Sequence, residues 1–292
     1  MAFEIITDAA SNLGMKIAKE NNITIIPFSY FSNEKEYFCD DTEAFDDNAY
    51  YESIRKGKKI TTSQINPARY MEYMEPMLKA GRDILFIGLS SGVSGSFASA
   101  QIAKKELLEK YPRRSIVLVD SLGASLGEGL LVLRAAKCRS NGMDIDETAK
   151  RIKFFRDRMY QVFIVDDLIH LRRTGRLSNF SAIMGSVLSI KPLLKGNDEG
   201  KIVAFNKIRG RRQAIKTMAE KYGALVKNPN KQLVGISHAN CEADAKYLAQ
   251  LIKQKFVPSD ILIVKHEPVT GSHIGPGALA LYFEGDAGVR LK

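Results

Sequence analysis

Three hydroxyl-rich segments punctuate the first half of the chain: "TTSQINP" from Thr61, "LSSGVSGS" from Leu89 to Ser96, and "VDSLGAS" from Val119 to Ser125. Each follows an apolar run and leads into a stretch with helical spacing. Serine and threonine hydroxyls, together with the open N–H groups of a helix start, can hold an anion. A serine in such a place can instead act as a nucleophile. The plainest role for Thr62, Ser94 and Ser121 is that of helix N-caps, for which Ser and Thr are favoured. A fourth segment, "GSHIGPG" at 271–277, sets His273 between glycines ahead of a Gly-Pro-Gly turn, where flexible flanks allow a ligand to approach closely.

The spacings exclude several chemistries. "SSGVSGS" has neither the lysine of a GxxxxGK[ST] phosphate loop nor the GxGxxG pattern of a dinucleotide site. A nucleophile elbow needs GxSxG, and Gly92-Val93-Ser94-Gly95 is one residue short between its glycines. Ser94, His273 and Asp120 can still form a triad in space, because order along the chain does not matter. A serine hydrolase or esterase using Ser94 and His273 is therefore the alternative reading. The four histidines, at 170, 238, 266 and 273, show no HxH or HExxH spacing, so a metal is not expected, and with both nucleotide patterns missing no cofactor is expected either.

These segments need a frame. Apolar runs at 4–8, 23–30, 83–90 and 115–121 read as strands buried on both faces. Helical patterns at 67–80, 94–110 and 124–140 lie between or behind them, which implies βαβ units and a mainly parallel sheet flanked by helices. The hydroxyl segments then fall at the carboxyl ends of the strands, where α/β sheets bind ligands. Beyond a helix at 146–157 the pattern changes. Strands at 161–167, 201–207, 232–238, 260–267 and 278–283 are interspersed with helices at 211–222 and 241–255, a polar hinge "LRRTGRLS", a hairpin turn "GNDEG" and the loop "PVTGSHIGPG". That is a mixed-sheet α/β (α+β) domain. The expected division is an N-terminal domain over 1–158 and a C-terminal domain over 159–292.

Composition narrows the partners. The chain has 292 residues, 45% of them apolar, enough for a substantial core. Its three cysteines, Cys39, Cys138 and Cys241, are far apart without a CxxC, which fits a reducing cytoplasmic setting. The N-terminus lacks the basic and apolar regions of a signal peptide, and no apolar run approaches membrane-spanning length. The net charge of +10 gathers in clusters at Lys56–Lys59, Arg172-Arg173-Arg176 and Arg209-Arg211-Arg212. None has the interleaved aromatics of a nucleic-acid surface, so acidic small molecules or an acidic partner are expected rather than nucleic acid.

Taken jointly, "TTSQ", "LSSGVSGS" and "GSHIGPGAL", with "VDS" at 119–121, "LRRTGRLS" at 171–178 and "KIRGRRQAI" at 207–215, resemble the signature segments of the DegV family of bacterial fatty-acid-binding proteins. The resemblance spans essentially the whole chain. It implies two α/β domains with a long-chain fatty acid held between them, the C-terminal domain covering the acyl chain. It also implies a carrier, not an enzyme, that presents its ligand to a separate fatty acid kinase. That kinase would phosphorylate the carboxyl group to an acyl phosphate for phospholipid synthesis. Transient contact with a membrane surface is compatible with such a role. Carried onto this chain, Thr62 and Ser94 would hold the carboxylate, on loops that include Ser63, Gly95, Ser121 and Gly275. Arg209, His273 and either Arg173 or Arg176 would lie near the carboxylate or face the kinase. The chain departs from the family in "TDAASNL" after the first strand, in "TSQIN" where TSQP is common, and in the very basic "RGRRQAI".

Elementary energetics agree with that implication. Each methylene removed from water is worth about 0.8 kcal/mol, so a chain of roughly 15 methylenes contributes up to about 12 kcal/mol before ordering costs. The tail supplies affinity, while the buried head needs donors. Hydroxyls and helix-start N–H groups meet that need without a permanent counter-ion. Phe97, Ile183, Met184, Val187, Leu188 and Ile190 are candidate tunnel residues, or equally ordinary core. Phosphoryl transfer requires a metal-bound nucleotide, for which the chain has no motif, so a partner must bring it.

Overall fold

The computed structural model describes residues 3–39, 45–178 and 190–292. The chain divides into two units, Met1–Ala44 with Ile60–Arg156, and Phe45–Lys59 with Asp157–Lys292.

In the first unit β1 (Phe3–Asp8), α1 (Met15–Glu20) and β2 (Ile23–Ile26) come first, followed by β3 (Ser29–Ser32) and β4 (Lys35–Phe38). Next in the chain is α2 (Asp47–Arg55), which belongs to the second unit. The first unit resumes with β5 (Ile60–Ser63), α3 (Pro67–Lys79), β6 (Asp83–Gly88), α4 (Ser96–Lys110), β7 (Ile116–Asp120), α5 (Leu126–Ser140) and α6 (Ile145–Arg156). Four strands form a wholly parallel sheet in the order β2-β1-β6-β7, with Ile5 opposite Leu85 and Leu85 opposite Val117. Ile84, Leu85, Phe86 and Ile87 are fully buried, as expected of a strand with both faces covered.

β1 is followed by its neighbour on one side, β2, and only later by its neighbour on the other, β6. The strand order therefore reverses between β1 and β6, and in open α/β sheets the crevice beyond such a switch point is where ligands bind. Asp8 and Leu89 stand at that place.

Two features differ from expectation. The run 23–30 is not one strand: β2 ends at Ile26 and β3 starts at Ser29, because Pro27 has no N–H for a ladder. The Thr61–Ser63 hydroxyls are not on a loop behind a parallel strand. They lie on β5, which pairs antiparallel with β3 in a separate sheet of order β4-β3-β5, Thr62 opposite Tyr30.

The second unit comprises α2, β8 (Met159–Ile164), α7 (Leu168–Arg173), β9 (Ile190–Gly196), β10 (Ile202–Arg209), α8 (Arg211–Leu225), β11 (Leu233–His238), α9 (Glu242–Lys255), β12 (Asp260–Lys265), α10 (Pro268–Ile274) and β13 (Leu279–Glu284). Its mixed sheet runs β10-β9-β8-β13-β11-β12, with only β11 and β12 parallel to each other. Tyr160, Ile215, Met218, Tyr222, Leu248 and Phe283 are among the residues of its core. The hairpin expected at "GNDEG" joins β9 to β10.

A cut at residue 158 misses the excursion of 45–59. The phenols of α2 explain that membership: Tyr50 donates to Pro268 O at 2.7 Å and Tyr51 to His266 O at 2.8 Å. Asp47 pairs with Lys265 at 2.7 Å. The polar hinge begins as a helix, α7, and the loop at 268–274 is the helix α10. Glu267 caps α10, its carboxylate accepting the N–H groups of Val269 and Thr270, with Pro268 pre-set at the first helical position. No helix among the described residues is long and apolar enough to cross a membrane.

Candidate functional site

The first unit brings "TTSQ" and "SGVSGS" together. Ser96, buried at the start of α4, accepts the backbone N–H of Ile65 on its hydroxyl at 3.2 Å. Gln64 Nε2 lies 3.5 Å from Ser99 Oγ on the first turn of the same helix. A Cβ at Gly95 would overlap the Gln64 carboxamide where it lies here. Ser94 Oγ lies 3.0 Å from Ser96 Oγ and accepts the Ser96 N–H at 3.2 Å. The result is a chain of hydroxyls beside the open N–H groups of the first turn of α4, a donor-rich surface suited to an anion.

None of the three hydroxyls expected to cap a helix occupies an N-cap position: those of α3, α4 and α5 are Asn66, Gly95 and Ser125. Ser94 does accept a helix-start N–H. α3 is capped by Asn66, which takes the Arg69 N–H at 2.9 Å, so Thr62 is not a cap. Thr62 is half-buried on β5, next to Ser63, whose hydroxyl donates to Gln64 O at 3.3 Å. Ser121 is fully buried and closes a turn, accepting the Gly123 N–H at 3.1 Å.

Carboxylates set the loops. Asp8 accepts the Leu89 N–H on Oδ2 and the Ala10 N–H on Oδ1, both at 3.0 Å. Asp120 accepts the N–H groups of Leu122 at 2.9 Å and Ser91 at 3.3 Å. The hydrolase alternative needs Asp120 to orient a histidine; the carboxylate instead serves the backbone of two loops. Leu122 and Ser125 adopt positive φ, 49° and 54°, an unfavourable conformation for non-glycine residues that concentrates strain beside this crevice.

In the second unit His273 lies on α10. Burial, with Arg176 and then His170 close by, brings its imidazole down to about 4, so it is neutral at pH 7. Arg176 is half-buried and donates to Thr174 O, whereas Arg173 is exposed; of the two arginines, Arg176 is the one beside His273. His170 Nε2 donates to Ser272 O at 2.5 Å, and Thr174 Oγ1 reaches His273 O at 3.4 Å, which joins α7 to α10. Gly275, with φ of 80°, leaves room for the His170 ring. Arg209 is exposed at the last position of β10, opposite Ile190.

Sequence reasoning passed over the neighbour of Arg209. Arg211 binds Asp244 through Nε at 2.6 Å and Asp166 through a terminal nitrogen at 2.9 Å, while Lys191 meets the same Asp166 oxygen at 2.8 Å. Gly277, with φ of 80°, makes space for the Asp166 carboxylate. Gln64 and Ser96 lie inside the quoted motifs without a role assigned to them, His170 appears only among the histidines, and Asp8 only at the end of the first apolar run.

Of the candidate tunnel residues, Phe97 is half-buried and stacks on Phe86 with ring centroids 6.5 Å apart, and Ile190 opens β9. Ile183, Met184, Val187 and Leu188 lie outside the described residues. Among the described residues, no group of three or more His, Cys, Asp and Glu could hold a metal ion.

Comparison with known proteins follows the same lines. Residues 2–286 match the family model described as uncharacterised protein, DegV family. A DegV domain-containing protein of Clostridium perfringens is 39% identical over 284 residues, covering 97% of this chain and 98% of that protein. A solved structure described as a fatty acid binding DegV family protein of Streptococcus agalactiae superposes with a TM-score of 0.84 at 29% identity, covering 98% of this chain and 99% of the other. DegV of Bacillus subtilis, described as a fatty acid binding protein, gives a TM-score of 0.82 at 28% identity, covering 98% of this chain and 100% of the other. A match of this extent leaves one conclusion: the chain is a member of the DegV family.

Proposed function

We propose that the chain binds a long-chain fatty acid, holds its carboxylate on the Thr62 and Ser94 hydroxyls, and presents it to a separate kinase for phosphorylation to an acyl phosphate. The observation that carries this reading is the junction of the "TTSQ" and "SGVSGS" segments at the β1/β6 switch point, tied by Ser96 Oγ to Ile65 N at 3.2 Å. Fatty acid binding by the Streptococcus agalactiae and Bacillus subtilis relatives supports the choice of ligand. Neutral hydroxyls suit a group that must be held and then react, because they stabilise the carboxylate without locking it in an ion pair. Arg176, with the exposed Arg209, supplies positive charge for an added phosphate or for the kinase encounter, and His273 stands beside Arg176 as a neutral imidazole. The nucleotide comes with the partner.

The test is extraction of protein purified without delipidation, by denaturation into organic solvent and mass spectrometry. About one fatty acid per chain is expected. Protein that carries none, and does not take up added fatty acid, overturns the reading.

A further inference from the structure

Asp8 and Glu128 are both fully enclosed, at 0% exposure. Glu128 Oε1 accepts the Thr7 hydroxyl at 2.8 Å, and its carboxyl group lies against that of Asp8. Two ionised carboxylates cannot hydrogen-bond each other, since neither has a hydrogen to donate. In that state Glu128 Oε2 would be buried with no donor to meet it. A single proton on Glu128 turns the contact into a charge-assisted O–H···O bond and relieves the repulsion. Asp8 is the member that keeps the charge, because its oxygens already accept the Leu89 and Ala10 N–H groups at 3.0 Å.

We infer that Asp8 and Glu128 form a one-proton carboxyl pair that positions the Leu89–Ser96 loop, Asp8 gripping the loop through the Leu89 N–H and Glu128 supplying the proton. This rests on the carboxylate-binding reading of that loop. The site is the switch point itself: Asp8 ends β1, Leu89 follows β6, and Glu128 lies in the first turn of α5. Burial and the Asp8 charge push the Glu128 carboxyl well up from the usual range. The titratable group facing the pair from α3 is Tyr70, whose phenol is pushed far up by burial and then by the Asp8 charge and so stays neutral. The pair acts through the backbone, so Asp8 is a positioning residue.

Asp8→Asn and Glu128→Gln separate the two roles. Asparagine keeps one acceptor oxygen and turns an NH2 group toward the N–H groups that Asp8 satisfies, so the loop should lose its anchor. Glutamine imitates the protonated glutamic acid. Hydrogen exchange across residues 89–96 should speed at least tenfold in Asp8→Asn, with fatty-acid affinity down about tenfold. Both should stay within threefold of wild type in Glu128→Gln. Carbon-13 NMR of the side-chain carboxyls should show Glu128 protonated at pH 7, and its titration should move to lower pH in Asp8→Asn. Should Asp8→Asn not fold, Glu128→Gln and the wild-type NMR spectrum still decide. An ionised Glu128 at pH 7, unchanged loop exchange in Asp8→Asn, or a tenfold loss in Glu128→Gln overturns the inference. If the protein binds no fatty acid at all, the exchange and NMR results still report on the pair, so the two failures are distinguishable.

Discussion

Ser96 Oγ accepts the backbone N–H of Ile65 at 3.2 Å, which welds the start of α4 to the segment that leads from β5 into α3. Through that bond two hydroxyl motifs some thirty residues apart become one surface.

Thr62→Ala combined with Ser94→Ala should weaken fatty-acid binding by tenfold or more, since a hydrogen bond to a charged group is worth roughly 1.5–3 kcal/mol. The fold should persist, because loss of the Ser94 hydroxyl's bond to the Ser96 N–H removes only about 1 kcal/mol. Titration calorimetry with a delipidated protein, alongside a thermal melt, measures both. Unchanged affinity removes these hydroxyls from the site.

Gly95→Ala tests the fit between the segments. Its Cβ would overlap the Gln64 carboxamide, but Gln64 is exposed and its end can swing aside. Stability should therefore fall by about 1 kcal/mol or less, below the usual range for overpacking in a core. Fatty-acid affinity should drop several-fold, because displaced Gln64 disturbs the junction. A large loss of stability with unchanged affinity contradicts the assignment.

His266 makes the second unit sensitive to acid. Its ring is buried, with Nε2 2.8 Å from Ser237 Oγ and Nδ1 3.3 Å from Thr270 Oγ1, and burial brings it down to about 3. Between that value and the ordinary 6.5, the unfolded chain binds the proton that the folded chain refuses. Stability therefore rises with pH across this window; it is fully present above pH 6.5 and is lost as pH falls. The loss is on the order of a few kcal/mol. Urea unfolding at pH 7 and pH 4.5 should show a smaller difference between the two pH values in His266→Gln than in wild type.

Glu267→Ala should loosen α10, the element that carries His273. Its carboxylate accepts the N–H groups of Val269 and Thr270, and removing a cap costs about 1–2 kcal/mol. Amide exchange over residues 268–274 should speed, while exchange in β1 and β6 stays as in wild type.

Much of this fold is legible in the amino-acid sequence. The continuous apolar runs Ile84–Ile87 and Ile116–Val119 marked strands covered on both faces, because only burial on both sides tolerates such runs. The hydroxyl clusters and the glycine-flanked His273 marked themselves through residue type, since donors and flexible backbone have few uses beyond caps and ligands. Pairing was another matter. That Thr62 lies on an antiparallel strand, that α2 joins the second unit, and that "PVTGSHI" winds into a helix all depend on partners distant in the chain: Tyr30, Pro268 and His266 for the first two, and the Glu267 cap together with its buried surroundings for the last. The choice of Arg176 over Arg173 as the neighbour of His273, and the meeting of Asp8 with Glu128, were decided the same way. Local pattern encodes whether a side chain wants water or burial; which other side chain it finds there is a property of the folded chain alone.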